Sequence, residues 1–407
     1  MTYARPLKPI FFTDTINNNK LYGKPKSAMI TDRSGSYNTG YDKYDLFDLN
    51  PQNEVSFDTS ANTTTHILIQ IDLGAFAFDV DYCALLNHNL VTAEGTIRIA
   101  HSATTISTAG AGTTIAALAT PPNVILNGAA NPDADSNLAE AIAIGETAWD
   151  VVDGTKYTTG EYLYLKNALD VEEVVKVTNV AANTLTVVRA SLGTDAAHDS
   201  GDTIRRYNCV TPTADGDTLI DFSSSNDRYW AIEIIPSDGV FSATDLTMGS
   251  LMLGEKYSLP LSPDMNINHS FNFDGVSIST SLSGKKHSSP NWVKANLTTV
   301  STGNYIPFRT NSGALQIPGR EMWSLSYSTL TDTDILPSDL GTPTGNSFVV
   351  NVMSKTGWNA LPFILGIDST STTQGDFMFG RFRDKTFNIT QMSAQAYSTS
   401  FSIDQEF

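Results

Sequence analysis

Alternating hydrophobic and polar residues between residues 67 and 102 predict the first strands of a β domain. From Ile67 to Leu73, aliphatic side chains occupy every second position, which places one side of a strand in a core. Val80 to Leu86 and Thr96 to Ala100 are two further strand-like runs, separated by Asn, Asp and Gly. Three short strands in about 35 residues are typical of an antiparallel sandwich rather than of alternating strands and helices.

The same domain resumes late in the chain, because Arg228 to Asp238 (RYWAIEIIPSD) alternates again. Residues 107–207 have a different character: a Thr-, Ala- and Gly-rich start precedes four short strands, GEYLYLKN, EEVVKVTNV, NTLTVVRAS and DTIRRY. We therefore predict a sandwich formed by residues 28–106 and 208–254. A small β-barrel or β-sheet domain, residues 107–207, is inserted into it.

The two ends of the chain complete the predicted organisation. Residues 1–27 contain early prolines and the polar run TINNNKLYGKPKS, so we expect an extended arm that reaches a neighbour or lies along the sandwich. Pro260 and Pro263 indicate a linker, and residues 255–407 contain runs such as EMWSLSYSTL and DFMFGRFRD. The predicted fold class is mainly β: an antiparallel jelly-roll-like sandwich, the inserted domain and a second, C-terminal β domain.

Composition limits the partners of the chain. Lys and Arg number 25 against 43 Asp and Glu, a net charge of −18, so we expect no binding to nucleic acid or to an anionic membrane. The sequence has no apolar run long enough to span a bilayer and no secretory signal pattern, which predicts synthesis in a cytoplasm without translocation. The two cysteines, Cys83 and Cys209, are expected to be unpaired core thiols.

Three groups of residues resemble the motifs of known families. Asp72-Leu73-Gly74, Asn87-His88-Asn89-Leu90 and Tyr229-Trp230 are similar to the motifs of discoidin-like, galactose-binding-like sandwiches, in particular those of phage virion proteins. The insert resembles a small module of phage tail and baseplate proteins at Arg189, Leu192, Gly193, Thr194, His198 and Gly201. The C-terminal runs FILGID, DFMFGRF and Ile-Asp-Gln-Glu resemble the C-terminal β domain of some such proteins.

The resemblance implies a structural virion protein of a tailed bacteriophage, located in the tail or baseplate and assembled in the host cytoplasm. It would form a multimeric ring with copies of itself and would contact other tail or baseplate proteins. Capsid decoration stays open as another location, and neither copy number, symmetry nor tail type follows from the sequence. The alternative function is a carbohydrate-binding or host-receptor-binding module on the virion.

The sequence predicts no catalytic residue, cofactor or metal site, and hence no enzyme. Zinc needs clustered ligands, whereas the histidines are scattered, and G-x-S-x-G, P-loop and dinucleotide motifs do not occur. The segment from Asn131 to Asn137 (NPDADSN) has alternating oxygen side chains but lacks the Gly and the distal Glu of an EF-hand. A solvated acidic loop is therefore favoured there over a calcium site.

Four aromatic residues are the candidates for contact with a host-surface glycan or a partner: Tyr37, Tyr41 and Tyr44 in a turn-rich loop, and Trp292 near Lys285 and Lys286. Aromatic faces stack on sugar rings and bury large areas with few rotamers to fix. The competing interpretation folds the tyrosine loop back onto its own sandwich. For GKKHSSPNW the competing interpretation is an exposed basic hairpin tip.

Overall fold

The computed structural model describes residues 8–21, 23–60, 67–74, 79–103, 123–124, 136–169, 171–207, 209–237, 240–265, 267–272, 276–290, 307–308, 320–337, 345–371 and 373–406. Strands make up 48% and helices 12%, which confirms the mainly β fold class. The chain divides into two compact units. We call residues 24–48 and 53–251 the sandwich unit, and residues 1–23, 49–52 and 252–407 the terminal unit.

The strands are, in chain order, β1 (Ile10–Asp14), β2 (Ile30–Ser34), β3 (Val55–Ser56), β4 (Ile67–Asp72), β5 (Val80–His88), β6 (Gly95–Ser102), β7 (Asn123–Val124), β8 (Ser136–Asn137), β9 (Ala148–Asp150), β10 (Tyr162–Lys166), β11 (Glu172–Ala181), β12 (Thr184–Gly193), β13 (Thr203–Arg206), β14 (Gly216–Ser225), β15 (Tyr229–Pro236), β16 (Thr247–Ser258), β17 (Asn268–Asn272), β18 (Val276–Thr280), β19 (Lys286–Pro290), β20 (Arg320–Leu330), β21 (Phe363–Gly366), β22 (Phe377–Phe382), β23 (Asn388–Ser393) and β24 (Ala396–Gln405). The helices are short: α1 (Thr15–Leu21), α2 (Lys26–Met29), α3 (Asp332–Ile335) and α4 (Ser354–Thr356), with 3₁₀ turns at Lys43–Phe47, Gly154–Lys156 and Gln374–Asp376 and a π turn at Val349–Met353. Within the described residues, no helix is both long and apolar enough to cross a membrane.

The sandwich unit contains the two packed sheets that the alternating runs predict. One sheet has the antiparallel order β2-β4-β15-β6-β7, and the other contains β14, β5 and the start of β16. Trp230 of β15 is fully buried, and its ring stacks on Phe222 of β14 with centroids 5.9 Å apart. Facing side chains of the two sheets therefore share one core.

The insert forms an open sheet rather than a barrel within the described residues, with the order β8-β13-β10-β11-β12-β9. On β10, Leu163 and Leu165 enter the core of the insert, whereas Tyr162 and Tyr164 project from the opposite face. Those tyrosines pack against Ile235 of β15. The insert therefore covers the outer face of the host strand, which explains why β15 is buried on both sides.

The N-terminal segment is not the extended arm predicted for residues 1–27, as far as residues 8–21 are described. Strand β1 lies between β16 and β21 of the terminal unit, and Phe11 is fully buried there. The polar run that suggested an arm forms α1, whose asparagines are also buried. Asn18 donates to the carbonyls of Ser354 and Lys355, at 3.0 and 2.7 Å. Buried amides are tolerated because the fold supplies these acceptors.

The terminal unit is built on one antiparallel sheet with the order β16-β1-β21-β22-β24-β20-β17, and β23 pairs with β24. Its core is rich in phenylalanine: Phe11 lies 5.5 to 6.2 Å, centroid to centroid, from the rings of Phe348, Phe363, Phe382 and Phe401. The strands β18 and β19 form a separate two-stranded hairpin. Cys83 is buried and Cys209 is half-buried.

Candidate functional site

The Asp72-Leu73-Gly74 motif ends β4 by an ion pair and a turn. Arg228 binds the Asp72 carboxylate with two hydrogen bonds, of 2.7 and 2.8 Å, and the Gly74 amide donates to the same carboxylate at 2.7 Å. Gly74 has a φ of +91°, which favours glycine. The hydrogen bonds from Arg228 hold the pKa of the Asp72 carboxyl below its ordinary value. These contacts make Asp72 a structural residue at the end of the strand.

The Asn87-His88-Asn89-Leu90 turn is likewise occupied by internal contacts. His88 is 3% exposed; its Nε2 lies 2.8 Å from Thr218 Oγ1, and its Nδ1 accepts from the Leu90 amide at 3.3 Å. The Asn89 side chain bonds both the carbonyl of Asp245 and the amide of Thr247. His88 is therefore hydrogen-bonded to the backbone of its own turn.

The burial of His88 predicts a pH-dependent stability. Burial lowers the pKa of His88 to about 4, whereas an unfolded histidine has a pKa of about 6.5. The unfolded chain therefore takes up the proton first, and stability is lost as the pH falls from about 6.5 towards 4. By pH 5 the expected cost is about 2 kcal/mol of unfolding free energy. Urea titrations at pH 7 and pH 5 would measure it.

A matched pair of variants isolates this histidine. His88→Gln should reduce the difference in unfolding free energy between pH 7 and pH 5. His287→Gln, at an exposed position of the β18–β19 hairpin, should leave the difference as in the wild type. Equal pH dependence in His88→Gln and wild type would contradict the prediction, whatever the absolute stability of the variant.

Ser225, His101 and Asp227 form a serine–histidine–aspartate cluster that the sequence analysis missed. Asp227 Oδ2 lies 2.5 Å and Ser225 Oγ 3.0 Å from the same imidazole nitrogen, Nδ1 of His101. In a catalytic triad the carboxylate binds one ring nitrogen and the serine the other, so that a proton can pass through the ring. Here the ring packs on Trp230, with centroids 4.9 Å apart. The arrangement fixes strand ends and does not activate the serine.

The Arg189 to Gly201 motif of the insert is organised around a residue outside the motif, Glu173 of β11. The Glu173 side chain is fully buried, and Arg189 binds its carboxylate through Nε and Nη2, both at 2.7 Å. His198 Nε2 lies 3.2 Å from Glu173 Oε2. Burial alone would raise the pKa of the Glu173 carboxyl, but the hydrogen bonds from Arg189 and His198 outweigh it and hold the pKa below its ordinary value.

The remaining donors of Arg189 fasten the surrounding loops. Its guanidinium donates to the carbonyls of Ala143 and Glu146 at 3.1 and 2.9 Å, and to that of Ala196 at 2.6 Å. The same group lies 5.0 Å from the Trp149 ring centroid. The motif is therefore a structural clamp that closes the insert, because its charged groups bind partners inside the insert.

A second buried charge cluster joins the insert to the host sandwich. Arg98 of β6 and Glu233 of β15 face each other in register, with Nη1 3.2 Å from Oε2. Tyr207, which follows β13, donates its hydroxyl proton to Glu233 and places its ring 4.0 Å from the Arg98 guanidinium carbon. All three residues are less than 5% exposed. The insert and the host sandwich are separate domains along the sequence, but this buried cluster fixes one to the other.

The tyrosine loop does not present three equivalent aromatic faces. Tyr37 donates to Asp32 at 2.9 Å and packs on Phe57, with ring centroids 4.9 Å apart, so this part of the loop is folded back onto the sandwich. Tyr44 is half-buried, and Lys43 Nζ lies 5.2 Å from its ring centroid. Tyr41 alone of the three is exposed, at 44%. Trp292 lies outside the described residues.

Metal sites and cavities remain to be described. In the described ranges no cluster of three His, Cys, Asp or Glu side chains could hold a metal ion. Residues 131–135 of the acidic Asn131–Asn137 loop lie outside those ranges, so the preference for a solvated acidic loop over a calcium site stays a prediction. The terminal unit contains a groove of about 520 Å³ on the face of β17, β20 and β24.

The polar side chains lining this groove are Ser324, Ser326, Ser400, Ser402, Asn268 and Asp384. Ser324 and Ser402 share a hydrogen bond of 2.8 Å across β20 and β24. The sequence contained a sign of these serines, since serine alternates with hydrophobic residues in SLSYS and again in Ser400-Phe401-Ser402. The pairing of the two strands, which brings the serines together, was not readable from that alternation.

Comparisons with known proteins assign no family. No family model matches the sequence, and no curated protein matches it. Among solved structures, chitosan-binding module 1 of a chitosanase/glucanase from Paenibacillus sp. IK-5 is similar over 56% of this chain and 93% of the module. The identity is 10% and the TM-score 0.22. A likeness of that size carries no argument about function.

Proposed function

We propose that the chain is a structural virion component of a tailed bacteriophage, in the tail or baseplate, and that it acts by assembling with copies of itself and with other virion proteins. It performs no catalysis. The observation that carries the proposal is that the potentially reactive side chains bind one another inside the fold. The three clusters centred on Glu173, Glu233 and His101 hold strands and domains together.

The division of charge supports an assembly role. In the sandwich unit Lys and Arg number 12 and Asp and Glu 30, a net charge of −18, whereas the terminal unit has 13 of each. The sandwich unit is thus strongly acidic, and the terminal unit has no net charge. Contacts between unlike units of neighbouring copies repel less than contacts between two acidic units, which favours head-to-tail association.

The oligomeric state of the purified full-length chain tests the proposal. We expect a multimer of fixed stoichiometry in sedimentation velocity over a concentration series, because a ring closes at a defined copy number. A chain that stays monomeric over the whole series would overturn the self-assembly role. Mass spectrometry of intact virions would test the location, with the chain expected among the tail proteins.

One observation favours the second candidate, a glycan-binding module. The groove of the terminal unit offers hydroxyl, amide and carboxylate groups, which are the partners of sugar hydroxyls. Within the described residues its walls present no exposed aromatic face for a sugar ring, and Phe401 is 2% exposed. A stable monomer that binds host-surface glycans would establish this candidate in place of the first.

A further inference from the structure

The hairpin formed by β18 and β19 is an exposed part of the terminal unit. Its strands pair antiparallel, with Ile278 opposite Ser288 and Thr280 opposite Lys286. A tight turn closes it, in which the Ser281 amide donates to the Lys285 carbonyl at 2.9 Å. All side chains from residue 277 to 288 are exposed except half-buried Ser281.

Two properties of the hairpin point to a partner. Among the described strands it is a two-stranded sheet of its own, and an isolated two-stranded hairpin is only marginally stable in water. It also exposes aliphatic side chains, Leu282 fully at the turn and Ile278 at 65% on one strand face. An exposed strand pair with apolar side chains is stabilised when another surface covers it.

The charge of the tip specifies the kind of surface. Lys285, Lys286 and His287 follow one another at the turn, and no acidic residue stands between Gly275 and Pro290. The tip is therefore basic, on a unit with no net charge, while the sandwich unit of the same sequence carries the entire net charge of −18. A second copy of this chain thus supplies a surface of opposite charge.

We propose that the β18–β19 hairpin of one copy docks onto the acidic sandwich unit of the next copy, with Leu282 and Ile278 as apolar contacts and Lys285 and Lys286 as the basic contacts. The proposal rests on the self-assembly proposed above and names its contact. Such an interface is head-to-tail, since hairpin and acidic surface are different parts of the chain. Repetition of the contact closes a ring or extends a filament.

The test compares full-length variants by sedimentation velocity over a concentration series. Lys286→Glu and Leu282→Ser should each raise the midpoint concentration of association about tenfold, because each removes part of a small interface. Lys385→Glu makes the same charge change at another exposed lysine of the terminal unit and should leave the midpoint within about twofold. Raising the salt from about 50 to about 500 mM should weaken wild-type association.

A crosslinking experiment identifies the surface that is bound. A Leu282→Cys variant carrying a photo-crosslinker is mixed with isotope-labelled wild-type chain, so that crosslinks between copies are recognised by mass. We expect crosslinked peptides from residues 24–48 and 53–251 of the other copy.

The outcomes separate the two proposals. A wild-type chain that never associates overturns self-assembly and the hairpin contact together. Association of wild type with unchanged midpoints in Lys286→Glu and Leu282→Ser overturns the hairpin contact alone. Crosslinks confined to the terminal unit of the other copy, or binding of the hairpin to vesicles of anionic lipid without self-association, would also overturn it.

Discussion

Replacement of Arg189 by methionine is expected to lower the free energy of unfolding of the insert by about 3–5 kcal/mol. Methionine keeps most of the side-chain length but removes the charge that Glu173 faces. The Glu173 carboxylate is fully buried, and without Arg189 it keeps the His198 ring and the Ala190 amide as partners. An incompletely compensated buried charge is costly, which gives the large effect.

Hydrogen exchange followed by mass spectrometry suits this measurement, because it reports local opening and does not require the whole chain to unfold as one unit. Peptides of β11 and β12 should exchange faster in Arg189→Met. Arg228→Met is the matched control, since Arg228 also binds a carboxylate with two hydrogen bonds but has a side chain that is 42% exposed. Its effect should be much smaller, because solvent replaces the lost partner.

A double variant tests the physical reason. Glu173→Gln removes the buried charge, so its addition to Arg189→Met should recover part of the lost protection in β11 and β12. If the double variant is less stable than the wild type by the full sum of the two single costs, the buried charge is not the cause. Unchanged exchange in Arg189→Met itself would show that the clamp does not stabilise the insert.

The strands were predictable where hydrophobic residues alternate along the chain, although β4 is buried on both faces, with Leu68 and Gln70 also buried. The alternation from Ile67 to Leu73 located β4, and the four short runs of the insert correspond to β10, β11, β12 and β13. The pattern failed at the N-terminus, where the polar run containing Asn17 to Asn19 predicted an extended arm but forms a buried helix. Their burial depends on carbonyls more than three hundred residues away, such as that of Ser354, which no local pattern reveals.

The chemistry of the clusters was predictable only in part. The motif containing Arg189 and His198 was recognised, but its common partner, Glu173, was not. Glu173 lies on the neighbouring strand β11, and its position opposite Gly193 follows from a register with bulges. The register of strand pairs separated along the chain is a tertiary property. The same reason hid the groove serines and the Ser225, His101 and Asp227 cluster.

Replacement of Arg98 by methionine should destabilise the host sandwich and loosen the insert at the same time, by about 3–5 kcal/mol. Glu233 would remain buried, with Tyr207 as its hydrogen-bond donor. Tyr207 follows β13 of the insert and packs with Tyr162, Tyr164 and Ile235 at the contact between the domains. Faster hydrogen exchange is therefore expected both in β6 and β15 and in β10.

Two variants separate the charge from the contact between the domains. Tyr207→Phe keeps the ring over Arg98 and removes one hydrogen bond, so we expect a loss of only about 1–2 kcal/mol. Arg98→Met combined with Glu233→Leu removes both charges and should recover most of the stability that Arg98→Met loses. A deficit of about 1–3 kcal/mol against the wild type should remain, because the buried Tyr207 hydroxyl loses its acceptor. Faster exchange in the double variant than in Arg98→Met would contradict this account. It would mean that the ion pair itself, rather than the avoidance of an unpaired charge, fixes the insert to the sandwich.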